Sequence, residues 1–456
     1  MTPLPRSRSF WWTVVLLALP IALQMLLQSL LGMADVVMVS SLGSEAIAAV
    51  GLAAKLQFLL LVLMSGLATG CSVLVAQYSG AGDFPSCQRT LAVTLLVGSV
   101  TMVPFLLLFG LLPELWLSWL NPDTEVVGLT AQYLSITALA LLLTQWIVIY
   151  EASLRALGNT AMPLVAGALS ILVNVGLNYI LIFGHLGFPA LGVAGAAWGT
   201  LIARLLQLLF IVSWVYGRRH GFALSWAQFR PALAWQPAAR FLSFSLPLVA
   251  NYGLWGLGNA TYHVLTGFAG THALAVMGVI VPIESSFFAL FVGLANACAV
   301  MVGRALGADR TEEAWRLHKI FVRLTLMLVF TLSFALWLAS PWILSAFGHV
   351  EEATASLLSH TLTIFCLLVW VKILNMMRII GVLRAGGDNR FVLITDVTVM
   401  WGLGLPIFAA AIFWGGWPFL LIYALMFLED VLKFVPMWRR IGKRLWMKNL
   451  TRDRER

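Results

Sequence analysis

The first long apolar segment of the chain carries a carboxylate and two amides along one helical face. Gln24 and Gln28 are one helical turn apart, Pro20 precedes them by one turn, and Asp35 follows by two turns. A carboxylate inside a bilayer costs about 2.5–3.5 kcal/mol on insertion scales, which favours pairing, hydration or protonation. Asp35 is therefore the strongest candidate for a group that binds a proton or a metal cation.

Polar side chains in later apolar segments fall at a similar depth. With a rise of about 1.5 Å per residue, Tyr133 and the other polar residues of these segments lie about 9–15 Å from the external ends. Asn174 and Asn178 are one turn apart, so both amides face one direction. The sequence predicts an ion-coupling cluster of four residues: Asp35, Asn174, Asn178 and Thr200. Their oxygens could bind Na⁺, whereas the single carboxylate suffices for a proton; the amides could also simply join helices.

The composition indicates which elements must position these groups. Hydrophobic residues make up 61% of the 456 residues and charged residues only 10%, against about 25% in soluble proteins. Apolar runs longer than about 18 residues recur along the whole chain, which is typical of transmembrane helices. We therefore predict an all-α membrane protein with about twelve spans. The predicted spans are 10–40, 46–79, 89–112, 126–156, 160–184, 191–217, 240–267, 273–305, 316–340, 354–384, 391–414 and 418–437.

The net charge of +9 follows the predicted topology. Alternate connections between spans contain no Lys or Arg, and the others are basic, which predicts that both termini are cytoplasmic. The basic residues on that side include Arg6, Arg8, Arg89, Arg155, Arg218, Arg219, Arg230 and Arg240. The tail adds Arg439, Arg440, Lys443, Arg444, Lys448, Arg452, Arg454 and Arg456. With Trp438 and Trp446, the tail is expected to anchor at anionic lipid rather than bind nucleic acid.

The second half of the chain repeats the first. When the chain is aligned with itself so that Pro20 matches Pro247, Leu19 also matches Leu246, Gly43 matches Gly270 and Gly66 matches Gly293. We call this constant shift in residue number the first offset. Further along the chain, a slightly larger shift aligns Leu154-Arg155-Ala156 with Leu383-Arg384-Ala385, and we call it the second offset. Two copies with an even number of spans predict pseudo-symmetric six-helix lobes, a cavity between them and alternating access. The predicted divisions are an N-terminal lobe at 1–217, a cytoplasmic linker at 218–239, a C-terminal lobe at 240–437 and a basic tail at 438–456.

Several stretches resemble the multidrug and toxic compound extrusion (MATE) transporters. They are LALPIALQMLLQSLLGMADVVMVSSLG near the start, the paired LRALGNT and LRAGGDN, NVGLNYILIFG, GVAGAAWGT and WGLGLP. The resemblance covers nearly the whole chain and implies a proton- or sodium-driven antiporter that exports amphipathic, often cationic, organic compounds. Of the two coupling ions, we expect the proton. It also implies that the Asp35 cluster lies where the DinF-like branch of the family carries its ion-coupling residues.

The sequence departs from the family pattern at three positions. Some members have an acid at the position of Asn178, and another branch has acids in helices 7 and 10. The corresponding positions here are Trp255 and approximately Ile373, so an ion site of that kind in the C-terminal lobe is not expected. The first offset also places Tyr262 opposite Asp35.

Other polar and charged residues of the spans are expected to bend a helix, line the cavity or form ion pairs. We expect Pro20 to bend helix 1, and the predicted substrate-contacting or cavity-lining residues are Gln24, Gln28, Tyr133, Trp255 and Lys372. Glu151 and Arg155 have the spacing of a structural ion pair. Near the cytoplasmic surface, the residues expected to be solvated or mutually paired are Asp396, Glu429, Asp430 and Lys433.

Competing functions are a flippase for lipid-linked precursors, a Na⁺-coupled exporter, a channel and an intramembrane enzyme. The chain contains no HExxH, GxSxG or paired-carboxylate motif, and its seven histidines are dispersed, so we predict no enzymatic activity. We expect no cofactor, no resident metal and no nucleic-acid partner. The partners expected are drug-like small molecules and the lipid bilayer, with a monomer in the cytoplasmic (inner) membrane.

Overall fold

The computed structural model describes residues 8–218, 223–345 and 352–452, and within these ranges the chain is all-α. The first half contains α1 to α7. Their bounds are α1 Arg8–Ser40, α2 Ser44–Gly80, α3 Phe84–Gly110, α4 Pro113–Leu117, α5 Thr124–Ala156, α6 Ala161–Phe183 and α7 Val193–Gly217. The basic residues Arg6, Arg219, Arg454 and Arg456 lie outside the described residues.

The second half contains further α-helices and two π-helical segments, π1 and π2. The bounds are α8 Trp226–Ala232, α9 Trp235–Gly267, α10 Thr271–Gly307, α11 Thr311–Ser345, α12 Glu352–Met376, π1 Met377–Leu383, α13 Asn389–Asp396, π2 Val397–Gly404, α14 Leu405–Phe413, α15 Phe419–Leu425 and α16 Leu428–Gly442. The short helices α4 and α8 were not anticipated from the sequence, and α8 lies inside the predicted linker.

Ten helices of the described chain are long and apolar enough to cross a membrane. The predicted spans at 240–267 and 418–437 are helical as well, but they are not among these ten. The last span is divided into α15 and α16, and α16 carries Glu429, Asp430 and Lys433. In this last span the apolar pattern is interrupted by buried charged residues.

The internal repeat is visible in the backbone. Gly43 and Gly270 precede α2 and α10, and both have φ of 111°, a conformation that glycine adopts without strain. A Cβ on Gly66 would lie 2.6 Å from the Cα of Val249, and Gly293 approaches the backbone around Ala22 equally closely. Since the first offset also relates Ala22 to Val249, the two halves use the same close helix contact.

The helices form two compact units, residues 1–22 with 250–456, and residues 23–249. Each division falls inside a long helix, just after Pro20 in α1 and just after Pro247 in α9. Proline removes a backbone hydrogen bond within a helix, so both helices are weakened where they pass from one unit to the other. The lobes at 1–217 and 240–437, predicted as transport units, remain a prediction.

Each unit has its own apolar core. In the unit of residues 23–249, α2, α3, α5 and α7 pack around Cys71, Leu91 and Ile147, all nearly fully buried. In the other unit, the α10, α11 and π1 core includes Cys298, Phe321 and Leu383, with the first turns of α1 packed against it. Three of the four free cysteines are buried, as small hydrophobic residues usually are.

The basic tail, predicted to anchor at anionic lipid, packs in part against the protein itself. Trp446 is fully buried in the core of the second unit, whereas Trp438 is exposed. Arg440 and Lys448 bind Asp388 at 2.6 and 3.2 Å. The prediction that Trp446 anchors the tail in lipid is therefore wrong, because the indole fills a pocket in the protein core.

Candidate ion-coupling site

Asp35 accepts a hydrogen bond from the amide of a neighbouring helix. The Asn178 Nδ2 atom donates to Asp35 Oδ1 at 2.8 Å and to Asn174 Oδ1 at 3.3 Å. The Asn174 Nδ2 atom in turn donates to Thr200 Oγ1 at 3.3 Å. The four residues predicted as a cluster are therefore in one hydrogen-bonded chain that joins α1, α6 and α7.

The Asn174 amide has two useful orientations. After a half-turn of the amide, its nitrogen donates to Asp35 Oδ1 at 3.2 Å and its oxygen accepts from the Thr200 backbone N–H at 3.2 Å. Both amides then donate to one carboxylate oxygen.

The local sequence brings Asn178 close to Asp35 through a glycine in α7. A Cβ on Gly199 would collide with Asn178 Oδ1 and would lie 3.4 Å from its backbone nitrogen. The motif that contains Gly199 therefore permits tight packing of α6 on α7. Asn178 is 1% exposed, and its Oδ1 atom has no hydrogen-bond partner in the described chain.

A cavity of about 210 Å³ opens beside Asp35 within the unit of residues 23–249. Tyr133, Asn174, Thr200 and Arg204 line it with Asp35. Drug-sized pockets measure about 300–1,000 Å³, and water occupies about 30 Å³ in the liquid, so the cavity suits water and small ions.

Arg204 was missed by the sequence analysis. It lies in α7, one turn after Thr200, and interacts electrostatically with both Asp35 and Glu151. Its Nη1 atom donates to Gln207 Oε1 at 2.9 Å. The spacing of Thr200 and Arg204 was a usable signal, because residues four apart share a helix face.

The polar residues predicted on one face of α1 contact two different groups of side chains. Gln24 does not join Asp35; its Nε2 donates to Glu151 Oε2 at 2.9 Å, and Gln207 donates to the other oxygen at 3.1 Å. The predicted pair of Glu151 with Arg155 is confirmed at 3.4 Å. Gln28 is exposed. The polar face of α1 therefore holds a structural ion pair at one level and the Asp35 cluster at another.

Comparison with known proteins gives the family. The MatE family profile matches residues 20–180 and again residues 247–409, one match in each half of the chain. The chain belongs to the MatE family. The starts of the two matches are related by the first offset and their ends by the second, as the halves are by sequence. MatE proteins are membrane transporters, so this chain is a multi-pass transporter and not an enzyme.

Relatives and solved structures agree with this assignment. The probable multidrug resistance protein NorM of Agrobacterium fabrum is 29% identical over 313 residues, which cover 66% of each chain. The transporter YisQ of Bacillus subtilis, itself uncharacterised, is 25% identical over 97% of this chain and 96% of its own. A MATE structure in complex with MaL6 superposes with a TM-score of 0.84 at 21% identity, covering 94% of this chain and 96% of that one.

A transporter of the wider MOP superfamily from Pyrococcus furiosus has the same fold. Its TM-score is 0.82 at 22% identity, and the superposition covers 94% of this chain and 95% of that one. The predicted all-α architecture is thus confirmed.

The remaining predicted residues lie in the unit that contains residues 250–456. Trp255 is 43% exposed, whereas Ile373 is fully buried. Lys372 packs over the rings of Phe288 and Phe427, with its Nζ 5.1 and 5.8 Å from their centres. Neither Trp255 nor Lys372 contributes to the cavity at Asp35.

The four charged residues expected near the cytoplasmic surface are buried rather than solvated. Lys433 bridges Asp396 at 3.0 Å and Glu429 at 3.8 Å. Asp430 lies beside Glu429 and is 6% exposed. Of the two alternatives drawn from the sequence, mutual pairing is correct.

Proposed function

We propose that the chain is a proton-coupled antiporter that exports small amphipathic organic cations, and that Asp35 is the carboxyl that binds the coupling proton. The observation that carries the proposal is the carboxylate of Asp35 in a small polar cavity, hydrogen-bonded by Asn178 at 2.8 Å. The multidrug-resistance names of several relatives favour this class of substrate.

Arg204 favours a proton over Na⁺ as the coupling ion. Its guanidinium shares the cavity with Asp35, and a fixed cation repels a second cation where water is scarce. A proton avoids this repulsion because it neutralises the carboxylate directly. Arg204 then still interacts electrostatically with Glu151, the other carboxylate on which its charge acts.

Protonation changes what Asp35 can do chemically. The ionised carboxylate only accepts hydrogen bonds, whereas the protonated acid also donates one. Asn174 can present either its nitrogen or its oxygen to Asp35, so the chain through Thr200 can follow the change. Coupling requires that the proton and the substrate prefer different conformations of the transporter. Pro20 gives α1 a point at which to bend between them.

Reconstituted transport tests the proposal. Proteoliposomes with an imposed pH gradient or an imposed Na⁺ gradient should accumulate a fluorescent organic cation only under the pH gradient. Asp35→Asn should reduce this uptake by about 5–150-fold, the range of coupling free energies of about 1–3 kcal/mol. Glu45→Gln, at an exposed acid in the first turn of α2, is the matched control. Uptake driven by Na⁺ alone, or wild-type uptake by Asp35→Asn, would refute the proposal.

We also propose an inner-membrane location with both termini cytoplasmic, on the strength of the one-sided basic connections. Ser118 and Ser225 are exposed in the connections that follow α3 and α7. In a Cys366→Ser background, single cysteines at these positions should react with an impermeant thiol reagent from opposite sides. Labelling of both from one side would rule out this topology.

A further inference from the structure

The unit of residues 250–456 rebuilds one polar contact of the other unit. In the first half, Arg155 donates to Gln24 Oε1 at 3.4 Å. The first offset relates Gln24 to Asn251 and the second relates Arg155 to Arg384, and Arg384 Nη2 donates to Asn251 Oδ1 at 2.6 Å. The two halves therefore place equivalent residues equivalently, and further positions can be compared.

The same offsets relate the Asp35 site to a cluster of acids. Tyr262 corresponds to Asp35, Glu429 corresponds to Thr200, and Lys433 corresponds to Arg204. The carboxyl lies on the first helix of the repeat in the first copy and on the last helix in the second copy. The basic residue one turn after it is present in both copies.

Three carboxyl groups compete for one ammonium group in this cluster. Asp396 is well satisfied, with Lys433 at 3.0 Å and Asn251 Nδ2 donating at 2.7 Å. Asp430 Oδ1 accepts a hydrogen bond from Asn375 Nδ2 at 3.3 Å, and its Oδ2 atom has no hydrogen-bond partner in the described chain. Glu429 is 3.8 Å from Lys433, and its Oε2 atom has no hydrogen-bond partner among the residues described.

The hydroxyl of Tyr262 points to the same place. Tyr262 is 4% exposed, and its hydroxyl interacts with Glu429 and Asp430. Gly404 makes room for it, since a Cβ there would lie 2.6 Å from the Tyr262 Oη and 3.5 Å from the Glu429 Cβ. The Tyr262 hydroxyl and the Glu429 carboxyl thus share one buried space, in which each is a partner for the other.

The charges around Glu429 do not balance. From α16 itself it faces Asp430 and Lys433, from α13 Asp396, from α12 Lys372, and from α9 the neutral Tyr262. Lys372 interacts with Glu429 only at longer range, because it lies over two phenylalanine rings. Buried like charges cannot all ionise without strong cost, so one carboxyl of the cluster takes up a proton. Glu429 is the one that lies beside the Tyr262 hydroxyl.

The backbone beside the cluster is unusual. The π2 segment begins directly after Asp396 and ends at Gly404, and π1 begins two residues after Asn375. π-Helical turns are rare, and they often occur at functional sites. Positions 148–154, which correspond to π1, are regular α-helix within α5.

From this geometry we infer that Glu429 is a second proton-binding carboxyl, which shares a buried site with the Tyr262 hydroxyl in the unit of residues 250–456. Its role in transport rests on the proposed function; the binding of the proton does not. Two sites in the two halves would let one transport cycle move a second proton.

Infrared difference spectroscopy on the purified full-length protein tests proton binding directly. Between about pH 6 and pH 8.5, exposed carboxyl groups with pKa near 4 stay ionised, so protonated-carboxyl bands report buried acids. The wild type should show two components. Glu429→Gln should remove one and Asp35→Asn the other, while Asp430→Asn should retain both. Tyr262→Phe should move the Glu429 component without removing it, a readout that remains if Glu429→Gln fails to fold.

An unchanged band in folded Glu429→Gln, or loss of the band in Asp430→Asn instead, would overturn the assignment. Proton counts per exported molecule in proteoliposomes separate the two proposals. Glu429→Gln should lower the count while leaving pH-driven transport measurable. If Glu429→Gln loses its infrared band but the wild type shows no pH-driven transport, only the proposed function is refuted. If Glu429→Gln transports in a pH-driven way and keeps the infrared bands and the proton count of the wild type, only the proposal of a second proton site is refuted.

Discussion

The two halves of this transporter share a backbone plan but place their acids on different helices. In the unit of residues 23–249, Asp35 and Glu151 are balanced by Arg155 and Arg204. In the other unit, Asp396, Glu429 and Asp430 surround the ammonium of Lys433, and Lys372 acts on Glu429 only from a longer distance. The duplicated fold therefore fixes where side chains can meet, while each copy sets its own charge balance.

The largest expected difference concerns Lys433. Lys433→Met leaves three buried carboxyl groups without their cation, and breaking a buried pair typically costs about 3–5 kcal/mol. Unfolding in mixed micelles should show this loss. The double change Asp396→Asn with Lys433→Met should recover part of it, because the best-paired acid is neutralised together with its partner. The same stability in the single and double variants would show that Lys433 does not stabilise Asp396.

Of the two equivalent arginines, Arg384 and Arg155, we expect Arg384 to contribute more to the free energy of unfolding. Arg384 is 6% exposed and contacts Asn251 at 2.6 Å, and hydrogen bonds of charged groups contribute about 1.5–3 kcal/mol. Arg155 has a side chain that is 19% exposed and contacts at 3.4 Å, so we expect less than about 1 kcal/mol. Unfolding free energies of Arg384→Gln and Arg155→Gln give the comparison. Equal losses would mean that the second copy is no more dependent on its polar network than the first.

A glycine substitution separates packing at the Asp35 site from packing elsewhere. Gly199→Ala places a Cβ against Asn178 Oδ1, and overpacking typically costs about 1–3 kcal/mol. Gly176→Ala, in α6 with open space around its Cβ, is the control and should stabilise by about 0.5–1 kcal/mol. Thermal unfolding and pH-driven uptake of both variants test this. If Gly199→Ala behaves like Gly176→Ala, the close approach of α6 to α7 is not needed.

The sequence predicted the helices and the Asp35 cluster because both depend on local periodicity. Asp35, Asn174 and Asn178 are polar residues in apolar runs, and their spacing and depth determined their meeting point. For Glu429 and its charged neighbours the sequence left two alternatives, solvation or mutual pairing, and pairing is correct. Solvation remained an alternative because α16 is only weakly apolar. The relation of Glu429 to Tyr262 depends on Gly404 and on two π-helical segments, and neither leaves a periodic signal in the sequence.

The fate of Trp446 shows a second limit of sequence analysis. A tail rich in arginine with interspersed tryptophan has the composition of a membrane-surface anchor. Gly386 and Gly387 instead leave space where the backbone of Trp446 and the side chain of Leu450 pack against them. Such a tertiary contact joins parts of the chain that are far apart in sequence, so composition alone could not distinguish it from lipid binding.

The smallest expected effect is that of Asn178→Ala, because Asn174 can replace the lost donor. With its amide rotated, Asn174 donates to Asp35 Oδ1 at 3.2 Å, so one hydrogen bond to the carboxylate survives. We expect a loss of about 1 kcal/mol, or roughly fivefold in pH-driven uptake. Asn174→Ala should have a similar effect, but the double variant should lose more than the sum of the two, since no amide then remains. Glu429→Gln should not change this coupling between Asn174 and Asn178, because the second cluster belongs to the other unit. Strict additivity of the two alanine substitutions would show that the amides act independently and that rotation of Asn174 plays no part at the Asp35 site.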